Sequence, residues 1–169
     1  MEDKGVLSVI IPVYNEEKTI ASVLDEVLAR PETAEVIVID DSSRDSSREI
    51  VGRYVEKEKG RVRLLVHDVN KGKGAAIRDG FDAATAPLVI VQDADREYSP
   101  SDYPVMLKPI LDGKADVVYG SRFQGGPGRV LYYRHQLGNK FLTFISNLLT
   151  DLNFTDVETC YKAFRREVV

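Results

Sequence analysis

Through the first two thirds of the chain, short apolar runs alternate with stretches whose apolar residues recur every three or four positions. LSVIIPVY (7–14) predicts a buried strand, and EEKTIASVLDEVLAR (16–30) predicts a helix with Ile20, Val23, Leu24, Val27 and Leu28 on one face. A second strand is predicted over AEVIVID (34–40). A second helix follows over SSREIVGRYVEKE (46–58), capped by Ser46 or a neighbouring serine or aspartate. VRLLVHD (62–68) predicts a third strand, GKGAAIRDGFDAAT (72–85) a third helix, and PLVIVQD (87–93) a fourth strand. SPSDYPVMLKPILDG (99–113) has a helical pattern interrupted by Pro104 and Pro109, and ADVVYGSR (115–122) predicts a fifth strand. QGGPGRVLYY (124–133) reads as a mobile loop. RHQLGNKFLTFISNLLTDLNF (134–154) then predicts an amphipathic helix with Leu137, Phe141, Phe144, Ile145 and Leu148 on its stripe. TDVETCYKAFRREVV (155–169) has a mixed pattern that predicts no clear element.

Strands alternating with helices indicate an α/β fold with a parallel, doubly wound sheet covered on both faces, whose ligands bind beyond the carboxyl ends of the strands. Four polar clusters fall at such ends: PVYNE, DDSS, the pair Asp93 and Asp95, and GSR. Residues i and i+2 of an extended chain leave on the same side, so the two carboxylates converge and call for a positive partner. Hard cations such as Mg²⁺ or Mn²⁺ take oxygen ligands and share them with substrate phosphates, so Asp93 and Asp95 suit a metal–diphosphate complex. Glu97 continues the alternation and is expected to add a ligand or a second acceptor. A lone Asp-x-Asp is ordinarily a solvated acidic turn; the placement after LVIV, level with other polar strand ends, is what points to metal.

Composition narrows the function classes. The chain has 169 residues, 43% of them hydrophobic, enough for one well-filled core and short for two. A net charge of −4 argues against a nucleic-acid partner held by bulk electrostatics. Cys160 is the only cysteine, so no internal disulfide is possible and a reducing compartment is expected. MEDKGVLSV lacks the basic region and apolar core of a signal peptide, and no apolar run approaches the ~20 residues of a spanning helix.

IIPVYNEE, EVIVIDDSSRDSS, NKGKGAAIRDGF, QDAD, DVVYGSRF and DVETCYKAFRREV occur in order, and together they resemble a family 2 glycosyltransferase of the Rossmann-like GT-A fold. The resemblance is nearest to the dolichol-phosphate mannosyltransferase and polyprenyl-phosphate glycosyltransferase branch and runs from about Val6 to Val169. It implies a mostly parallel central sheet with helices on both faces, with 1–169 a single catalytic domain cut from a longer protein. It also implies a nucleotide-sugar donor, GDP-mannose or UDP-glucose, and a divalent metal. Pro12, Tyr14 and Glu16 are then expected along the nucleotide. Ile39 and Asp41 line the base pocket, Asp41 accepting from a ring N–H, and Asp93, Ala94 and Asp95 meet ribose, diphosphate and metal. The structural alternative for the acidic pair after the second strand is helix capping, a role that falls to Asp40. Pro12 and Ile39 have packing as their alternative. NKGKG lacks the full phosphate-loop signature, so Gly72 and Gly74 read as a tight turn, with Lys71 or Lys73 left as possible phosphate contacts.

In the resembled branch, arginines matching Arg122 and Arg134 bind a polyprenyl or dolichyl phosphate acceptor, which a planar guanidinium can hold through two oxygens. Their alternatives are a structural ion pair and a solvated helix start. Such an acceptor is already ionised near neutrality and needs no general base. A hydroxyl acceptor would need one, and Asp156 and Glu158 are then the candidates. His67 and His135 read as incidental. The loop 124–133 and the following helix are expected to dock peripherally at the cytoplasmic face of a membrane; the alternative is that the apolar stripe covers the sheet.

Overall fold

A computed structural model of the chain describes residues 5–121 and 133–169, without the side chains of 133–136. Its elements run β1 (Leu7–Val13), α1 (Ile20–Leu28), β2 (Thr33–Asp40), α2 (Ser47–Lys57), β3 (Val62–Val66), α3 (Lys73–Ala83), β4 (Leu88–Val91), a short 3₁₀ turn, α4 (Tyr103–Leu111), β5 (Val117–Tyr119), α5 (Tyr133–Thr150) and β6 (Lys162–Arg165). The six strands form one sheet in the order β3-β2-β1-β4-β6-β5. β1 pairs in parallel with both β2 and β4, and β2 pairs in parallel with β3. β6 runs antiparallel between β4 and β5. The mostly parallel sheet is as expected; the antiparallel insertion of β6 is not, because KAFR is too short and too charged to announce a strand.

Both faces of the sheet are covered. Leu7, Val9, Ile11 and Val13 of β1 leave on one side and pack with Ile20, Val23, Leu24 and Val27 of α1, Val51 of α2 and Leu107 and Ile110 of α4. Ile10, Ile37, Ile39 and Val89 leave on the other side against Ala76 of α3. α3 lies so close there that a Cβ on Gly80 would clash with Ile10 and sit 3.0 Å from the Cδ1 of Ile39. α4 runs unbroken through Pro109, with Pro104 in its first turn, where a missing N–H costs nothing. The chain reverses its direction of winding between β1 and β4, which leaves a crevice outside their carboxyl ends.

α5 is turned the opposite way from an ordinary amphipathic helix. Its polar residues at spacing four face the protein: Asn139 Nδ2 donates to Asp156 (2.9 Å), Thr143 Oγ1 donates to Asn139 Oδ1 (3.0 Å), and Asn147 exchanges two bonds with the backbone of Phe154. Phe141 and Phe144 are each 63% exposed, and Leu137, Leu148 and Leu149 are exposed with them. The stripe therefore does not cover the sheet. Of the loop 124–133 expected before this helix, residues 124–132 lie outside the described residues and Tyr133 already belongs to α5.

At the amino end of the sheet, buried Glu35 fastens several elements. Its Oε1 accepts from Ser8 Oγ (2.6 Å) and from the backbone and hydroxyl of Thr85 (both 2.7 Å), while Oε2 accepts from Arg63 (2.7 Å). Burial pushes this carboxyl up, but the bonds from Ser8 and Thr85 and the Arg63 guanidinium outweigh it and lower it from 4.5 to about 2. A carboxyl lowered on folding stabilises the fold above its ordinary value and loses that effect as pH falls through the folded value. Glu35→Gln is expected to cost about 1–3 kcal/mol at pH 7. The gap from wild type should close between pH 4.5 and about 2. Urea denaturation across that range checks this; a gap that stays constant with pH contradicts it.

Candidate active site

Three loops from the carboxyl ends of β1, β2 and β4 meet around a crevice of about 420 Å³. It is lined by Pro12 near the end of β1 and Tyr14 and Glu16 after it, by Asp41 after β2, and by Asp93, Ala94 and Asp95 after β4, with Asn70, Gly72 and Lys73 from the approach to α3. The sequence expectations for the first seven of these thus fall in one place.

The β1 and β2 loops are stitched together by reciprocal bonds. The Asn15 amide donates to Ser43 Oγ (3.0 Å) while the Arg44 amide donates to Asn15 Oδ1 (2.8 Å). Glu17 N donates to Asp45 (3.0 Å), Ser46 N donates to Glu17 (3.0 Å), and Glu16 N donates to Ser47 Oγ (2.8 Å). Asn15 and Ser42 both adopt positive φ, 58° and 65°, so each chain turns sharply as it leaves its strand. Asp45 also accepts from Ser47 N (3.0 Å), so the aspartate beside Ser46, rather than Ser46 itself, closes the start of α2. Asp40 is fully buried and bound by Arg48 at 2.8 Å, a structural role.

Asp41 sits in a cradle. Lys71 N donates to its Oδ1 and Gly72 N to its Oδ2, both at 2.8 Å, and His67 Nδ1 lies 2.6 Å from Oδ1. His67 Nε2 reaches Asp79 of α3 at 2.8 Å. Burial pushes the Asp41 carboxyl up, but the Lys71 amide, His67 and the Gly72 amide outweigh it and hold it below its ordinary range. The bond to Asp41 and then that to Asp79 raise the His67 imidazole, against burial and the nearby Lys71. His67 was expected to be incidental and is not: a buried imidazole between two carboxylates on different elements fixes the wall of the crevice. Only the strand-end position of VHD could have signalled it.

The acidic pair is held differently from the expectation. β4 ends at Val91, and the chain from Ala94 turns, with Arg96 at φ 66°, so the Glu97 amide donates to Asp95 Oδ1 (2.9 Å). The alternation therefore breaks at Ala94, and Glu97 is exposed and does not line the crevice. Among the described residues no three acidic, imidazole or thiol groups stand close enough to hold a metal by themselves, so the expected set Asp93, Asp95 and Glu97 is not gathered here. The two remaining carboxylates fit a divalent cation whose other oxygens come from a diphosphate and water. Lys73 is the cation present now: its Nζ lies 2.6 Å from Asp93 Oδ1 and 3.1 Å from Cys160 Sγ. Buried Gln92 pegs the turn by donating from Nε2 to the carbonyls of Asp93 (3.2 Å) and Tyr98 (3.1 Å), while Tyr103 donates to its Oε1 (3.1 Å).

Ile39 is a second correction. It is fully buried, paired in register with Pro12 and Leu65, because its side chain leaves the sheet on the face that α3 covers. It does not line the crevice. Arg122 lies outside the described residues, and Arg134 belongs to the first turn of α5 with its side chain outside them. Asp156 is buried and accepts from Asn139, and Glu158 is exposed.

A histidine raised on folding contributes stability that is complete below its ordinary value of about 6.5 and is lost as pH rises through the raised value. The stability gap between wild type and His67→Gln should accordingly be largest near pH 6 and shrink toward pH 9. Denaturation at a series of pH values measures it; a gap independent of pH contradicts the charged pairing.

The residues from 8 to 169 match the family model described as Glycosyl transferase family 2. Among curated relatives, a dolichyl-phosphate beta-glucosyltransferase of Trichomonas vaginalis is 34% identical over 178 residues, covering 95% of this chain and 53% of that protein. An undecaprenyl-phosphate 4-deoxy-4-formamido-L-arabinose transferase of Aeromonas hydrophila is 30% identical over 171 residues, covering 99% and 51%. The chain thus spans about half the length of the curated relatives it matches. Among solved structures, glucosyl-3-phosphoglycerate synthase from Mycobacterium tuberculosis, in complex with Mn²⁺, uridine diphosphate and glucosyl-3-phosphoglycerate, superposes with a TM-score of 0.72 at 24% identity. The match covers 97% of this chain and 58% of that one and shows a shared GT-A fold. The chain belongs to glycosyl transferase family 2.

Proposed function

We propose that the crevice binds a nucleoside-diphosphate sugar, GDP-mannose or UDP-glucose, and that the protein passes its hexose with inversion to a polyprenyl or dolichyl phosphate. The observation that carries the reading is the convergence of Pro12, Tyr14, Glu16, Asp41, Asp93, Ala94 and Asp95 on one crevice at the switch point of the sheet. Relatives whose names specify dolichyl-phosphate and undecaprenyl-phosphate transfer support the acceptor class.

Asp93 and Asp95 would hold Mg²⁺ or Mn²⁺, which supplies charge stabilisation to a departing diphosphate. Tyr14, 46% exposed at the rim, offers a face to base or ribose, and Asp41 offers an acceptor to the base. Lys73 neutralises Asp93 before the donor arrives and lies within the same crevice as the incoming phosphates. In the transfer an oxygen of the acceptor phosphate forms a bond to the anomeric carbon from the face opposite the leaving group. The bond from that carbon to the diphosphate oxygen breaks, and the nucleoside diphosphate leaves with the electron pair. An ionised acceptor has no proton to lose, so no base is needed. The engagement of buried Asp156 in holding α5 favours this reading over a hydroxyl acceptor, for which Asp156 was one of the two candidate bases, with Glu158.

Arg122 and Arg134 are proposed to bind the acceptor phosphate. The exposed Phe141, Phe144 and Leu148 of α5 offer an apolar surface to lipid, so the protein would dock peripherally at the cytoplasmic face of a membrane. Among the described residues no helix is long and apolar enough to cross a membrane.

Calorimetry with UDP and GDP tests the donor site. EDTA in place of Mn²⁺, or Asp95→Asn, is expected to weaken nucleotide binding at least about tenfold, the scale of one lost charge-assisted contact. Equal affinity with and without metal contradicts the assignment. Sugar transfer to a short polyprenyl phosphate, alongside the matching polyprenol, tests the acceptor. Transfer to the phosphate alone, falling sharply in Arg122→Ala, is the expected result; transfer to free hydroxyls with no response to the phosphate overturns it.

A further inference from the structure

We infer that the base read by Asp41 is uracil and that the donor is a uridine-diphosphate sugar rather than a guanosine-diphosphate one. The inference rests on the reading above that the crevice takes a nucleoside diphosphate with its base against Asp41.

An ionised carboxylate has about four acceptor directions, two on each oxygen. The chain fills three of them at Asp41. On Oδ1 lie the Lys71 amide at 2.8 Å and His67 Nδ1 at 2.6 Å; on Oδ2 lies the Gly72 amide at 2.8 Å. One direction is left, on Oδ2, in a residue that lines the crevice. The donors that fill the others cannot readily withdraw. His67 is gripped from its far side by Asp79 at 2.8 Å, and the Lys71 and Gly72 amides belong to the turn into α3, where Gly72 takes φ 87°.

The pairing edges of the bases differ in what they ask of such a group. Uracil presents a single ring N–H flanked by two carbonyls, which one acceptor direction satisfies. Guanine presents a ring N–H and an amino N–H side by side, a pair that is met by both oxygens of a carboxylate. With Oδ1 already accepting twice, one guanine donor goes unmet on entering the crevice, or it displaces His67 or the Lys71 amide and leaves that buried donor unpaired. Adenine and cytosine place an unprotonated ring nitrogen beside their amino group, so a lone pair faces the carboxylate. The chain's own hydrogen bonds thus act as the filter, by using up the acceptor that a guanine would need.

Calorimetry of the wild-type protein with UDP and with GDP, each with Mn²⁺, tests this. UDP is expected to bind at least about tenfold more tightly, the effect of one buried donor left unpaired. GDP binding equally or more tightly overturns the inference while leaving the nucleotide site in place; binding of neither overturns the inference together with the reading it rests on. In Asp41→Asn the ratio is expected to fall to within about threefold, since the amide no longer presents a fixed single acceptor. A wild-type ratio that persists unchanged in this variant places base recognition elsewhere and also overturns the inference. Should the variant fail to fold, the wild-type ratio decides the matter alone.

Discussion

Negative charge gathered at one end of a parallel sheet must be answered from inside the chain, and the architecture of this protein follows from how it is answered. Three of the four aspartates at the carboxyl ends of β2 and β4 receive a basic side chain from the connection that follows or neighbours them. Asp40 takes Arg48 from α2, Asp41 takes His67 with the amides leading into α3, and Asp93 takes Lys73 at the start of α3. Desolvating a carboxylate without such partners costs several kcal/mol, so these pairs are conditions for the loops to lie where they do. Asp95 is the exception: exposed, and oriented by one backbone amide at the left-handed turn of Arg96. It is the carboxylate most available to an incoming cation.

The same economy shapes α5. α5 spends its polar residues inward, on Asp156, Val157 and Phe154, and leaves its aromatic and leucine residues outside. Ordinary burial would have reversed that choice, since apolar area is worth roughly 25 cal/mol per Å² when removed from water. The exposed stripe therefore asks for an apolar neighbour, and the proposed lipid acceptor would provide one. The proposed donor and acceptor readings meet here: the crevice is polar where a nucleotide would enter, and the helix has an exposed apolar stripe of the kind a polyprenyl chain would meet.

Much of this was legible in the sequence because it rests on period and position. Two-sided burial of β1, β2 and β4 is written in runs such as VIVI, and the strand-end location of the acidic residues follows from those runs alone. What escaped depends on where chain segments cross. β6 is made of KAFR, four residues with two charges, and it becomes a strand only because β4 and β5 offer it unpaired edges. Ile39 misled because a resemblance assigns positions while the alternation of a strand assigns faces. Glu97 misled because alternation was extended past Val91, where the strand stops. His67 could not be weighed without knowing that Asp41 and Asp79, distant in the chain, approach it from two sides.

The crevice between the ends of β1 and β4 is proposed to bind a nucleoside diphosphate and its divalent cation. Amide chemical-shift mapping in the ¹H–¹⁵N spectrum, with UDP and Mg²⁺ added in steps, tests it most directly. The largest shifts are expected on Tyr14, Asp41, Gly72, Lys73 and Asp93 to Glu97, with Glu35 and Thr85 at the opposite end of the sheet unmoved. Shifts concentrated at that opposite end, or none at saturating ligand, would contradict it.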